Sequence, residues 1–283
     1  MHELRVAIRR LLSQFVLLTR VISDRQPQKV RRILKRQLQS LGALRDTTVQ
    51  RVFIEKQLVR FPELSDLRRQ LERRERRLVK TASRQVNQFK TNKLEKWIRG
   101  ITEQLTHDSR GAPRRDRMTS LALRLTAEAF ADTVALRRLI EFSDSRTIHC
   151  MRVAFKKFRY SVECLPPQLT GLSKRDLRKL AYYQRRMGNI QDIEVIRDSI
   201  TKFIQQNKGV DVLLVHFCAY LRRRRSSAFR AFRASVDELF SFWPPPGLPV
   251  AYKSPSVKNR CATREGRARL CPDAIRRAGY RCC

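Results

Sequence analysis

Acidic residues are in short supply in this sequence: 26 Asp and Glu stand against 62 Lys and Arg, leaving a formal charge of +36 and a pI near 11.3. Self-repulsion on that scale disfavours a compact chain alone in water, whereas a polyanion neutralises it and releases condensed counterions. Glycine is sparse as well, nine in 283 residues. No phosphate-cradling Gly-rich loop, Gly-x-Ser-x-Gly elbow or His-Glu-x-x-His helix occurs. With no cluster of acids to hold Mg²⁺, the expectation is a protein that is not an enzyme and carries no cofactor and no metal. The seven cysteines include no Cys-x-x-Cys pair, which argues against a zinc site.

Long apolar runs are also missing. Nothing approaches the about 18 uncharged residues of a membrane span, and Gln14 interrupts the one stretch, Leu11 to Leu18, that imitates a signal peptide behind Arg9-Arg10. Cys150, Cys164 and Cys218 sit in apolar helical contexts, as reduced buried thiols do, so cytoplasmic residence is expected. Aromatic residues make up only 8% of the chain. That proportion, with no RNA-recognition sheet signature and no zinc-finger spacing, weighs against a dedicated nucleic-acid reader.

What is abundant is helical periodicity. Val30, Ile33, Leu34, Leu38 and Leu41 recur at intervals of three and four, with Arg31, Arg32, Lys35 and Arg36 between them, giving an amphipathic helix with a basic outer face. Gly42 reads as that helix's C-terminal glycine and Asp46-Thr47-Thr48 as the next helix start. One long polar helix is expected over 63–104. Thr106 to Asp116, with Gly111 and Pro113, is the one convincing internal break, and Pro166-Pro167 should end a helix covering about 147–165. The fold class expected is all-α, an antiparallel helical bundle with two pseudo-symmetric halves. The helical body spans 1–243, with a first half of about 1–105, a linker at 106–116 and a second half of about 117–243. Beyond it, 244–283 is a Pro-rich basic tail expected to be disordered. The tail carries nine Lys and Arg against two acids, so most of the excess charge belongs to the helical body.

The halves carry a duplication. His2-Glu3-Leu4-Arg5-Val6-Ala7-Ile8-Arg9-Arg10 aligns with His149-Cys150-Met151-Arg152-Val153-Ala154-Phe155-Lys156-Lys157. A second element follows each copy, Leu41-Gly42-Ala43-Leu44-Arg45-Asp46 answering Met187-Gly188-Asn189-Ile190-Gln191-Asp192. Two paired elements in one order and at nearly one spacing mark two copies of a helical unit. On a helix, His2, Arg5 and Arg9 share one stripe, as do His149, Arg152 and Lys156. Leu4, Ile8, Leu11 and Phe15 form the apolar face beside the first, and Met151, Phe155, Phe158 and Val162 the face beside the second. Two such helices side by side would line a cationic groove. Arg grips phosphate oxygens with a planar fork, Lys supplies a mobile charge, and an imidazole near phosphate favours its protonated form. Asp46 and Asp192 either orient neighbouring cationic groups or cap helices. His107 and His216 read as ordinary core or surface residues. The runs Arg73-Arg74, Arg76-Arg77 and Arg222 to Arg225 read as solvated faces or diffuse anion contacts.

The paired pattern resembles the CHAD family, the conserved-histidine α-helical domains, over roughly residues 1–243. It is carried most clearly by His149 to Tyr160 and by Leu41-Gly42-Ala43-Leu44-Arg45-Asp46. The resemblance implies a pseudo-two-fold helical bundle with a basic channel for inorganic polyphosphate. The contacts it implies are His2, Arg5, Arg9 and Arg10 in one repeat and His149, Arg152, Lys156, Lys157 and Arg159 in the other, with Arg45, Asp46 and Asp192 in support. Leu12 stands where the family's first repeat often has Arg and Thr48 where an acid is usual, so the first site is expected to be the weaker. A motif opening at the second residue lacks the turn that ordinarily precedes it, which implies a truncated or misplaced start. The family's frequent triphosphatase-type partner domain, with its Glu-x-Glu-x-Lys, is absent from the sequence.

The function expected is thus non-catalytic polyphosphate binding, in the cytoplasm and on polyphosphate granules. The alternatives are a helical nucleic-acid-binding protein, with nonspecific attraction in any case, and a scaffold recruiting proteins to polyphosphate-rich bodies. Because the tail offers no amphipathic face with which to dock, truncation after Trp243 should leave helix content per residue and polyphosphate affinity within a few-fold of the full chain, by circular dichroism and titration.

Overall fold

The computed structural model describes residues 2–21, 25–88, 91–107, 112–207 and 209–244. The expected tail beyond Pro244, with Cys261, Cys271, Cys282 and Cys283, and residues 108–111 at the centre of the expected linker lie outside the described residues, as do the side chains of His2 and His107. Among the described residues every regular element is helical. In chain order these are α1 (His2–Val21), α2 (Gln26–Ser40), α3 (Gly42–Glu55), α4 (Ser65–Asn87), α5 (Thr91–His107), α6 (Ala112–Arg138), α7 (Ser145–Glu163), α8 (Pro167–Thr170), α9 (Lys174–Gln206), α10 (Val210–Leu213) and α11 (Val215–Ser235). Short 3-10 helices occur at Pro62–Leu64 and Val236–Ser241. The all-α class expected from periodicity is the class observed.

Three boundaries differ from expectation: the end of α2, the start of α3, which lies at Gly42 and not at Asp46-Thr47-Thr48, and the extent of the helix expected over 63–104. Gly42 does not close α2; it opens α3, and the chain turns through Leu41 alone. Leu41 keeps a right-handed conformation, φ −82°, and its N–H reaches the Gln37 carbonyl at 3.3 Å. It is buried with Leu44 and Ala82, so an apolar anchor, not a left-handed glycine, sets the corner. The single polar helix expected over 63–104 is two helices, α4 and α5. Pro62, which lacks an N–H and has a fixed φ, sits in the 3-10 turn ahead of α4, where its missing donor costs nothing.

The described residues form two compact units, one within 1–119 and 189–230 and the other within 120–188 and 231–244. In the first, Ile8 and Phe15 of α1 pack with Val30 and Leu34 of α2 and Ile101 of α5. A separate cluster joins Ile54 of α3 and Leu67 of α4 to Ile196 and Ile200 of α9 and Phe217 of α11. Phe61 meets the Phe217 ring edge-on, with centroids 5.2 Å apart.

The second unit has an aromatic core. Phe155 of α7 lies 4.9 Å from Tyr183 of α9, Phe158 packs on Phe130 of α6 at 5.1 Å, and Trp243 meets Phe158 edge-on at 5.9 Å. Such offset and edge contacts add to the large apolar area that each ring buries. The Tyr183 hydroxyl donates to the Val236 carbonyl at 2.6 Å, tying α9 to the 3-10 turn after α11. Burial pushes the Tyr183 phenol above its ordinary value of 10.0, so the folded chain keeps that proton to higher pH than the unfolded chain. The stability linked to it is fully present below the ordinary value and is lost as pH rises past it. Tyr183→Phe should therefore cost about 1 kcal/mol at neutral pH and make stability less sensitive to alkali. Urea melts at neutral pH and above the ordinary tyrosine value check both effects; an unchanged alkaline slope would locate that loss elsewhere.

Candidate polyanion-binding site

The motif helix α7 is capped by Asp144, whose carboxylate accepts the Arg146 N–H at 2.9 Å. It stops before Pro166-Pro167, as proline chemistry requires. Met151, Phe155, Phe158 and Val162 are buried, as their spacing predicts. His149, Arg152 and Lys156 are half-buried along the border of that face, and Lys157 is exposed. The position of Arg152 depends on the second sequence element: a Cβ on Gly188 would lie 3.6 Å from both Nε and Nη2 of Arg152. The guanidinium thus rests against the bare backbone of α9 at the one residue without a side chain. Arg159 extends the stripe, but its Nε lies 3.4 Å from Glu163 and its guanidinium 4.7 Å over the Tyr160 ring. Its charge is shared with an acid. Glu163 lies outside the motif, and its i,i+4 spacing from Arg159 is the sequence signal for this pair.

In the other unit the same spacing gives a different result on α1. Arg5 is buried and donates Nη1 to the Leu38 carbonyl at 3.3 Å. Leu38 is in the last turn of α2, where carbonyls lack intrahelical donors and cations are favoured. Arg5 is thereby committed to packing α1 on α2. Arg9 is half-buried and Arg10 exposed. Ile8 and Phe15 are buried as expected, but Leu4 is 45% exposed and leaves the apolar face. The face turned to α2 includes Arg5 in place of Leu4, because a buried guanidinium must stay close to its carbonyl acceptor.

The acids of the two second elements meet on one cation. Arg45 of α3 donates Nη1 to Asp46 at 2.9 Å and Nη2 to Asp192 of α9 at 3.1 Å. Burial by itself would lower the Arg45 pKa, but hydrogen bonds and charge from Asp46 and Asp192 outweigh it and hold the guanidinium above its ordinary value. Neither acid caps a helix. Asp46 lies inside α3, whose N-cap is Leu41, and Asp192 is in the middle of α9. Of the two roles left open for them, they perform the orienting one, on Arg45. One turn further along, Gln50 Nε2 reaches the Val195 carbonyl at 3.4 Å.

A model of the CHAD domain matches residues 1–201. The chain belongs to the CHAD family. No curated protein and no solved structure matches it.

The departure of this CHAD chain at Thr48 has a structural answer. In the second element, Glu194 binds Arg197 at 2.8 Å and also Arg225 at 2.5 Å. In the first, Thr48 and Arg51 occupy the corresponding positions, and the carboxylate arrives from α4: Glu75 accepts the Thr48 hydroxyl and the Arg51 Nε, each at 2.5 Å. The missing acid is supplied from elsewhere in the unit, which no local motif could announce. Among the described residues, no group of three or more His, Cys, Asp or Glu is placed to hold a metal ion, and no helix is long and apolar enough to cross a membrane.

The Gly188 contact gives a graded test. Gly188→Ala places a methyl at ordinary van der Waals distance from Arg152 and should keep or raise stability by up to about 1 kcal/mol, since Gly is a poor helix former. Gly188→Leu has to displace the guanidinium and should cost about 1 to 3 kcal/mol. Thermal melts of both variants decide; equal stability of the two would mean that Arg152 does not rest on this backbone.

Proposed function

We propose that the chain binds inorganic polyphosphate through the stripe His149, Arg152, Lys156 and Lys157 and leaves it chemically unchanged. The observation that carries this reading is the setting of α7. His149, Arg152 and Lys156 stand half-buried at the edge of an aromatic core, and Arg152 is seated on Gly188, which holds it in position before any ligand arrives. Preorganised, partly desolvated cations hold phosphate more strongly than mobile surface ones. Membership of the CHAD family and the charge of +36 support the same ligand class. In this reading Arg9 and Arg10 supply a second, weaker set of contacts, because Arg5 is spent on the Leu38 carbonyl. Arg159 contributes less than its place in the motif implies, its charge being shared with Glu163.

The reading extends to architecture and place. The repeated elements are two pseudo-symmetric halves of an antiparallel bundle. Supporting this, Arg5 and Arg152, at matching motif positions, each lie against the helix that leads to the following glycine element. Binding without catalysis, in the cytoplasm and on polyphosphate granules, completes it.

Replacing Arg152 and Lys156 together by Gln should weaken binding of long-chain polyphosphate by about tenfold or more, since each charge-assisted contact is worth about 1.5 to 3 kcal/mol. The same treatment of the exposed Arg222, Arg223 and Arg224 should cost a few-fold at most, such charges being screened within about 8 Å at physiological salt. Equal losses would reduce binding to general attraction. Log affinity should fall with log salt by about 0.7 per phosphate engaged, taking a single strand as the guide. His149→Gln should bind nearly as well as the parent at pH 8 and less well at pH 6, because phosphate favours the charged imidazole over a free value of about 6.5.

A further inference from the structure

The second unit has an open cleft of about 460 Å³ lined by Arg175, Arg178, Lys179 and Tyr182 of α9 and by Glu238, Ser241 and Phe242, and none of these is a motif residue of α7. The four α9 residues follow one another at intervals of three, one and three, which places them on one face of the helix. Tyr182 stands out from this face, 54% exposed. Its ring is held from one side by the Arg186 guanidinium, 4.6 Å from the centroid. Arg186 is itself fixed at 2.7 Å to Glu238, so the carboxylate of the cleft is already matched by a cation. Lys179 has Asp176 at 3.0 Å, leaving Arg175 and Arg178 as the more available phosphate contacts. The cleft therefore joins cations to an oriented, accessible aromatic face. A bare polyanion such as polyphosphate has no use for such a face, whereas a base stacks on it.

We infer that this cleft binds single-stranded nucleic acid, with a base stacked on Tyr182 and backbone phosphates on Arg175 and Arg178. The Arg186, Tyr182 and base planes then form one stack. Base stacking on aromatic side chains is tolerant of sequence, so the site takes strands without reading them. The inference stands independently of polyphosphate binding on α7, because it rests on different residues and on a ligand feature that polyphosphate lacks.

The test uses the full chain, a fluorescently labelled oligothymidylate and, beside it, an abasic strand of equal length and charge, at physiological salt. Tyr182→Ala should weaken oligothymidylate binding by about five- to a hundredfold, the range for losing one stacked base. Tyr182→Phe should retain most of it. The abasic strand should bind the parent chain about as weakly as oligothymidylate binds Tyr182→Ala, and the affinity of Tyr182→Ala for long-chain polyphosphate should stay within about twofold of the parent. The proposal is overturned if Tyr182→Ala binds oligothymidylate like the parent, or if the parent binds the abasic strand equally well. A parallel loss of polyphosphate affinity in Tyr182→Ala would overturn it too, since the residue would then serve polyanions in general or the fold.

Discussion

Every part of this molecule must accommodate a large excess of positive charge without allowing it to drive the helices apart. Acids are too few to neutralise the cations one by one, and the structure places several of them where one carboxylate engages more than one partner. Glu75 holds Arg51 and the Thr48 hydroxyl and Glu194 holds Arg197 and Arg225, whereas Asp46 and Asp192 converge on the single cation Arg45. Glu75 and Asp192 each join two helices. These pairs are only part-buried and each is a small contribution beside the apolar clusters; they determine which cations are balanced inside a unit.

The two units solve the packing problem differently, and that difference reaches the motif helices. Under α7 lie rings, Phe155, Phe158 and Tyr183, whose fixed geometry and full burial make a stiff floor. Under α1 the cluster is mostly aliphatic, and Arg5 enters it to satisfy a carbonyl at the end of α2. The same motif arginine is thus at the margin of the core in one unit and inside it in the other. A duplicated sequence does not guarantee a duplicated site, because what lies beneath the helix decides how far the side chain sinks.

Much of this was legible beforehand. The three-and-four spacing of Leu, Ile, Val and Phe disclosed the all-α class, and Met151, Phe155, Phe158 and Val162 were readable as the buried face of α7. Elements one turn long were not. Gly42 looks like a helix end because glycine is common there, but the burial of Leu41 settles the corner and is a tertiary fact. The break between α4 and α5 falls where Asn87 ends one helix and Thr91-Asn92 open the next, residue types that favour helix ends, a local signal that the surrounding helical periodicity outweighed. Nor could spacing disclose that Arg45 would bring Asp46 to Asp192, or that Glu75 would stand in for the acid missing at Thr48. Those contacts depend on which helices become neighbours.

Charge of this magnitude attracts any polyanion, so discrimination has to come from features that are not charge. On α7 the available features are rigidity and spacing: cations fixed along one helix edge suit a ligand whose phosphates repeat regularly and present nothing else. On the face of α9 that carries Tyr182 the feature is a planar apolar surface beside the cations, which rewards a ligand carrying planar groups between its phosphates. Long-range attraction then serves mainly to raise encounter rates and is weakened alike for all ligands by salt. Under the two proposals, short-range fit, which salt screens far less, would divide the ligands between the two surfaces. One basic chain can in this way hold two kinds of polyanion apart, provided that its excess charge is not what distinguishes them.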